Sequence, residues 1–130
     1  MSDLEPIFTP EAPPPGGHYS QAVVHNGLVW ISGLLPVDPT TGERKYGEVE
    51  EQMNRILNNL EDILLIAGSV PDRVLRTTVY VTDVELWDRV NAVYAAYFGD
   101  HRPARTVVPV PELHYGFAIE MDAVAAVSPT

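Results

Sequence analysis

Ser20-Gln21-Ala22-Val23-Val24-His25-Asn26-Gly27-Leu28-Val29-Trp30-Ile31-Ser32-Gly33 sets the terms of the fold. Two β-rich runs flank Asn26-Gly27, the dipeptide that best accepts the two positive φ angles of a two-residue type I′ turn. With that turn in place, His25 pairs with Leu28, Val23 with Trp30 and Gln21 with Ser32, all on one face. Ala22, Val24, Val29 and Ile31 fall on the other, an apolar surface that has to be covered by a helix.

Working outward, Pro36-Val37-Asp38-Pro39-Thr40-Thr41-Gly42 is dense in turn residues and reads as a loop. From Glu48 to Ala67 the apolar residues Val49, Met53, Ile56, Leu57, Leu60, Ile63 and Leu64 recur three or four apart, as in an amphipathic helix, with Gly68 as its stop. Arg73 to Val81 alternates, and predicts a strand that buries Leu75, Thr77, Val79 and Val81. Thr82 and Glu85 have capping-box spacing ahead of a second helix over residues 84–98, whose buried stripe is Trp87, Val90, Tyr94 and Tyr97. Two strands, about 104–110 and 117–127, follow and read as a hairpin joined by residues 111–116. Pro109 makes the first of them an edge strand or a bulged one.

The expected fold is therefore a single α+β domain over residues 18–130, in the order ββ-α-β-α-ββ, preceded by an extended arm over residues 1–17 that holds five prolines. Two helices cover one face of the mixed sheet. The other face needs solvent or subunits, and Val107 and Val124, expected on it, favour subunits.

At 130 residues the chain suffices for one core without disulfides or metal, and it has no cysteine for a thiolate site or nucleophile. The acidic, proline-rich start is not a secretory signal, and the longest mainly apolar stretch, residues 63–67, is far short of the roughly 20 residues that span a bilayer. These features predict a cytoplasmic protein with no membrane partner. A formal charge of −10, with Lys45 the only lysine, argues against nucleic acid as a partner.

Glu120 is the most informative candidate: its strand places Phe117, Ile119, Met121, Ala123 and Ala125 on one face and Ala118, Glu120, Asp122 and Val124 on the other. A carboxylate at mid-strand is either a solvated surface group or one half of a site whose other half is a cation. Arg105, in the expected neighbouring strand, is that cation, suited to bidentate capture of a substrate carboxylate or to a structural pair with Glu120 or Asp122. The histidines His18, His25, His101 and His114 lack metal-site spacing, so no metal is expected. Ser20, Ser32 and Ser69 lack the setting of a hydrolase nucleophile.

Gly17-His18-Tyr19-Ser20-Gln21-Ala22, Ile31-Ser32-Gly33-Leu34-Leu35-Pro36 and Pro103-Ala104-Arg105-Thr106 resemble the signatures of the RidA/YjgF family. Arg76-Thr77-Thr78-Val79-Tyr80, Val90-Asn91-Ala92-Val93-Tyr94 and Ile119-Glu120-Met121-Asp122-Ala123 extend the resemblance in order from Tyr19 to Ala125. It implies a homotrimer of chorismate-mutase-like subunits, with clefts between chains and no cofactor. It further implies hydrolytic deamination of a 2-aminoacrylate-like enamine or imine, a small carboxylate-bearing substrate, to a 2-oxo acid and ammonia. Arg105 would bind the carboxylate and Glu120 would handle water or a proton; Tyr19, Gly33, Asn91, Val107 and Tyr115 would line the cleft. The alternatives are a related enzyme on another carboxylated substrate and a non-catalytic ligand-binding or chaperone-like trimer. The chain departs from the family pattern at Val107, where many members have Cys or Ser, at His18, and in the turn Leu113-His114-Tyr115-Gly116. A backbone amide at Val107 remains available as a donor whatever its side chain.

Overall fold

The computed structural model describes residues 3–44 and 46–129; Lys45 lies outside the described residues. Eight principal elements follow one another: β1 (Glu5–Ile7), β2 (Ala22–His25), β3 (Leu28–Leu34), α1 (Val49–Ile66), β4 (Val74–Val81), α2 (Trp87–Phe98), β5 (Ala104–Pro109) and β6 (Ile119–Ala126). They form one six-stranded sheet in the order β1-β2-β3-β6-β4-β5, antiparallel throughout except for the parallel β4–β5 pair.

The β2–β3 hairpin has the expected register, with His25 opposite Leu28 and Val23 opposite Trp30. Its turn residues Asn26 and Gly27 have φ of 50° and 77°, the signs a type I′ turn requires. In the arm, β1 adds to β2, and the buried Gln21 ties it down by accepting from the Thr9 amide at 2.7 Å and donating to the Thr9, Ala12 and Pro13 carbonyls.

The core lies between the helices and one sheet face. Val49, Met53, Ile56, Leu57, Leu60, Ile63 and Leu64 of α1 are all buried against Val29, Ile31, Val79, Ile119, Met121, Ala123 and Ala125. Fully burying one such side chain contributes about 1.5–3 kcal/mol. Gly68 follows α1 with φ of 83°, the left-handed conformation that ends a helix.

Several expectations need correction. The last two strands are not a hairpin, because β4 lies between β5 and β6 and pairs with both. β5 is an edge strand, as Pro109 allows. The alternation of β4 breaks at a bulge between Val74 and Arg76, where one extra residue leaves Leu75 exposed and Val74 buried in its place. The turn before α2 is capped by Asp83, whose carboxylate accepts from the Glu85 amide at 2.9 Å, and not by Thr82. The buried stripe of α2 is Val90, Tyr94 and Phe98, with Trp87 and Tyr97 only partly covered. Val107 pairs with the buried Val79 and packs against the core, so it does not share the open face with Val124; Val108 does.

That open face, away from the helices, carries Val23, Trp30, Thr78, Tyr80, Val108, Glu120, Asp122 and Val124. Trp30 is 52% exposed on it.

Candidate active site

Glu120 and Arg105 lie in two separate settings. Glu120 stands on β6 opposite Tyr80, on the open side of the sheet. Next to it β3 is irregular: Ile31 pairs with Ala123 but Leu34 with Met121, so β3 holds one residue more than β6 over this span. The extra residue allows both Ile31 and Leu34 to point into the core, and it brings Gly33 against Glu120. A Cβ at Gly33 would collide with the Glu120 carboxylate, so glycine is what lets this carboxylate lie close to the β3 backbone. On the same strand Asp122 accepts from the Tyr80 hydroxyl at 3.2 Å.

Glu120 forms part of the wall of a cavity of about 570 Å³. Tyr19, Ser32, Gly33, Arg44, His114 and Tyr115 contribute to the same wall. The Tyr19 hydroxyl accepts from the Gly16 amide at 3.1 Å, which fixes its ring beside the arm. Burial pushes the Glu120 carboxyl above the ordinary carboxylate range; His114 opposes this and Asp122 adds to it. The guanidinium expected beside Glu120 is not supplied by Arg105 of the same chain, so the net shift is upward, toward the protonated form. His18 is not among the residues lining the cavity.

Arg105 sits on the edge strand β5, in register with the buried Thr77, and therefore on the helix side of the sheet. Its Nη1 donates to Asn91 Oδ1 at 2.8 Å. The guanidinium carbon lies 4.7 Å from the Trp87 ring centroid and 4.8 Å from that of Tyr94. Tyr94 is itself fixed by a 2.8 Å hydrogen bond between its hydroxyl and Thr77 Oγ1. Aromatic faces and one amide oxygen hold the guanidinium while most of its donors stay free. Among the described residues Arg105 pairs with no carboxylate, so the structural pair with Glu120 or Asp122 does not form within the chain.

Of the residues expected at a cleft, Tyr19, Gly33, Tyr115 and Glu120 share the cavity, whereas Asn91 on α2 and Arg105 on β5 form the second cluster, on the other side of the sheet. Val107 lies on β5 with its side chain toward the core, leaving only its backbone to serve a ligand. Sequence reasoning missed Arg44, whose guanidinium lies 3.7 Å from the centroid of the Tyr115 ring. It also treated Trp87 and Tyr94 only as core, although both support Arg105. No periodic signal marks Arg44, which sits in a loop and meets Tyr115 only through tertiary contact. Among the described residues no cluster of ligating side chains suits a metal ion, and no helix is long and apolar enough to cross a membrane.

The fold and this pair of clusters define a two-helix, mixed-sheet α+β protein with a carboxylate and a guanidinium displayed on opposite sides of the sheet. The family described as Endoribonuclease L-PSP matches residues 9–127. A RutC family protein of Pyrococcus abyssi is 41% identical over 121 residues, covering 93% of this chain and 95% of the relative. The solved YjgF gene product of E. coli superposes with a TM-score of 0.89 at 36% identity, covering 94% of this chain and 98% of that one. E. coli TdcF with bound serine superposes with a TM-score of 0.90 at 33% identity, covering 95% and 99%. The chain belongs to the Endoribonuclease L-PSP family, the RidA/YjgF/RutC group, and has the YjgF fold.

Proposed function

We propose that this protein is a cofactor-free deaminase that hydrolyses a carboxylate-bearing imine or enamine, in clefts between the subunits of a homotrimer. The observation that carries this is the split between the two clusters: Arg105, held by Asn91 beside Trp87 and Tyr94, and Glu120, in the wall of the cavity, lie on opposite faces of one sheet. A second copy seated on the open face brings its own Arg105 edge to the first copy's Glu120 cavity. The exposed Trp30 and its apolar neighbours supply the surface for that contact. Serine bound to the relative TdcF supports a small ligand with a carboxylate.

In the reaction the enamine first tautomerises to the imine. Arg105 holds the carboxylate through parallel charge-assisted hydrogen bonds, and Glu120 takes a proton from the water that attacks the imine carbon. A C–O bond forms and the C=N bond opens to an amine. Glu120 returns the proton to the nitrogen, the hydroxyl proton follows it to that nitrogen as the C=O bond forms and the C–N bond breaks, and one imine plus one water yields one 2-oxo acid and one ammonia. The imine carbon is already electrophilic, so orientation and proton transfer suffice. The backbone beside Gly33 and at Val107, with Tyr19, Asn91 and Tyr115, completes the wall. The cysteine-free composition accords with a cytoplasmic place of action. RNA cleavage, which the family description names, is disfavoured by the −10 charge.

The test is to generate 2-aminoacrylate in situ and follow ammonia and 2-oxo acid release. Acceleration in proportion to added protein is expected. No acceleration by a folded trimer that still binds a 2-oxo acid would replace the enzyme with a ligand-binding protein.

A further inference from the structure

The cavity around Glu120, about 570 Å³ in a single chain, is partly open, so a neighbouring copy seated there takes up some of its space and the chemistry of its own lining decides what it holds. It also has a cation of its own. Arg44 lines it, on the loop between β3 and α1, and stacks on Tyr115 with 3.7 Å between the guanidinium carbon and the ring centroid. Stacking uses the flat face of a guanidinium and leaves the donors along its edge free. Among the described residues no carboxylate pairs with Arg44. In a chain of charge −10, an unpaired cation in a cavity offsets a field that otherwise repels anions.

Its platform is built with some backbone strain. Tyr115 has φ of 61° and ψ of 13°, a left-handed conformation uncommon for an aromatic residue, and Gly116 follows with φ of 77°. Such conformations persist where the surroundings over-determine them, often at binding sites. Here Phe117 returns to the core and stacks on Tyr46 with centroids 5.0 Å apart, while the Tyr115 ring meets Phe117 edge-on at 6.1 Å. His114 of this loop acts electrostatically on the Glu120 carboxyl and Arg44 is not among the groups that do, which sets Arg44 farther from Glu120 along the wall.

We propose that Arg44 is a specificity-determining residue that receives a second anionic group, so that the site takes imine or enamine acids whose side chain ends in a carboxylate. This deepens the deaminase reading: Arg105 of the neighbouring subunit holds the carboxylate next to the reacting carbon, and Arg44 holds the distal one.

The experiment is calorimetric binding of 2-oxobutanoate, 2-oxoglutarate and phenylpyruvate to the wild-type protein, Arg44→Gln, Arg44→Lys and Arg102→Gln. Wild type is expected to prefer 2-oxoglutarate over 2-oxobutanoate by about tenfold or more, the scale of one charge-assisted contact. Arg44→Gln should abolish that ratio and Arg44→Lys restore part of it. Arg102→Gln, which removes an exposed charge outside the cavity, should leave it intact. Equal affinities in wild type, a ratio that survives Arg44→Gln, or a preference for phenylpyruvate over 2-oxoglutarate would each overturn the proposal. Imine hydrolysis measured alongside separates the two readings. Hydrolysis without a dicarboxylate preference rejects the role of Arg44 alone; an Arg44-dependent preference without hydrolysis rejects deamination and supports the second-anion site.

Discussion

The Glu120 cavity and the Arg105 edge are built in opposite ways. The first is a partly open cavity assembled from the arm, the β3 bulge, the Arg44 loop, the 114–116 turn and β6, with a carboxyl pushed up by burial. The second is an open edge strand where one guanidinium is fixed by Asn91, Trp87 and Tyr94 and faces outward. One offers space and a proton acceptor, the other an oriented cation. Neither region alone does what the proposed reaction asks, and the sheet topology keeps them apart within a chain.

The largest expected effect falls on the cavity side. Glu120→Gln keeps the shape and removes the basicity, so single-turnover hydrolysis should fall by roughly 10²–10⁴-fold while 2-oxobutanoate binding survives. Undiminished hydrolysis would move water activation to another group. Because burial raises the Glu120 carboxyl, the wild-type rate should climb with pH through a midpoint above the ordinary carboxylate range, and Glu120→Gln should lose that limb.

On the edge side, Arg105→Lys keeps the charge but loses the planar fork that lies over the Trp87 and Tyr94 rings. Calorimetry should show 2-oxobutanoate affinity falling by about tenfold or more. Equal affinity in both proteins would remove Arg105 from ligand binding.

The smallest effect couples the two regions through stability. A carboxyl whose folded-state value is raised binds its proton more tightly folded than unfolded, so its contribution is fully present at low pH and is lost as pH rises through the folded value. Glu120→Gln should therefore raise the melting temperature at pH 7 by a few degrees, with the gain vanishing below the ordinary carboxylate range. If a neighbour's Arg105 reaches Glu120, it offsets part of the burial effect, and the gain should be larger in an Arg105→Ala background. The same gain in both backgrounds would mean that the two groups do not meet.

Much of the fold was legible because the signals were local. Asn26-Gly27 specified the β2–β3 register, and the spacing of Val49 through Leu64 specified which face of α1 is buried. What escaped was non-local or depended on a single extra residue. The placement of β4 between β5 and β6 has no signature in the short 111–116 connection, and it put Arg105 and Val107 on the helix side. Bulges shift a strand's alternation by one residue, which is why Leu75 is exposed and why Gly33 meets Glu120. Both candidate site residues were visible as charged groups in largely apolar strands; that they occupy different faces was not. Arg44 gave no sign, since its platform depends on the left-handed turn at Tyr115.

Mixing two inactive variants tests the central claim, that the site is completed between chains. Arg105→Ala and Glu120→Gln are dissociated, combined in equal amounts and reassembled, then assayed for imine hydrolysis. If each site takes Arg105 from one subunit and Glu120 from the next, every mixed trimer regains one intact site in three, and random assembly returns about a quarter of wild-type activity. A mixture that exchanges subunits yet stays as inactive as its parents would contradict the account, and would place both groups' work within a single chain.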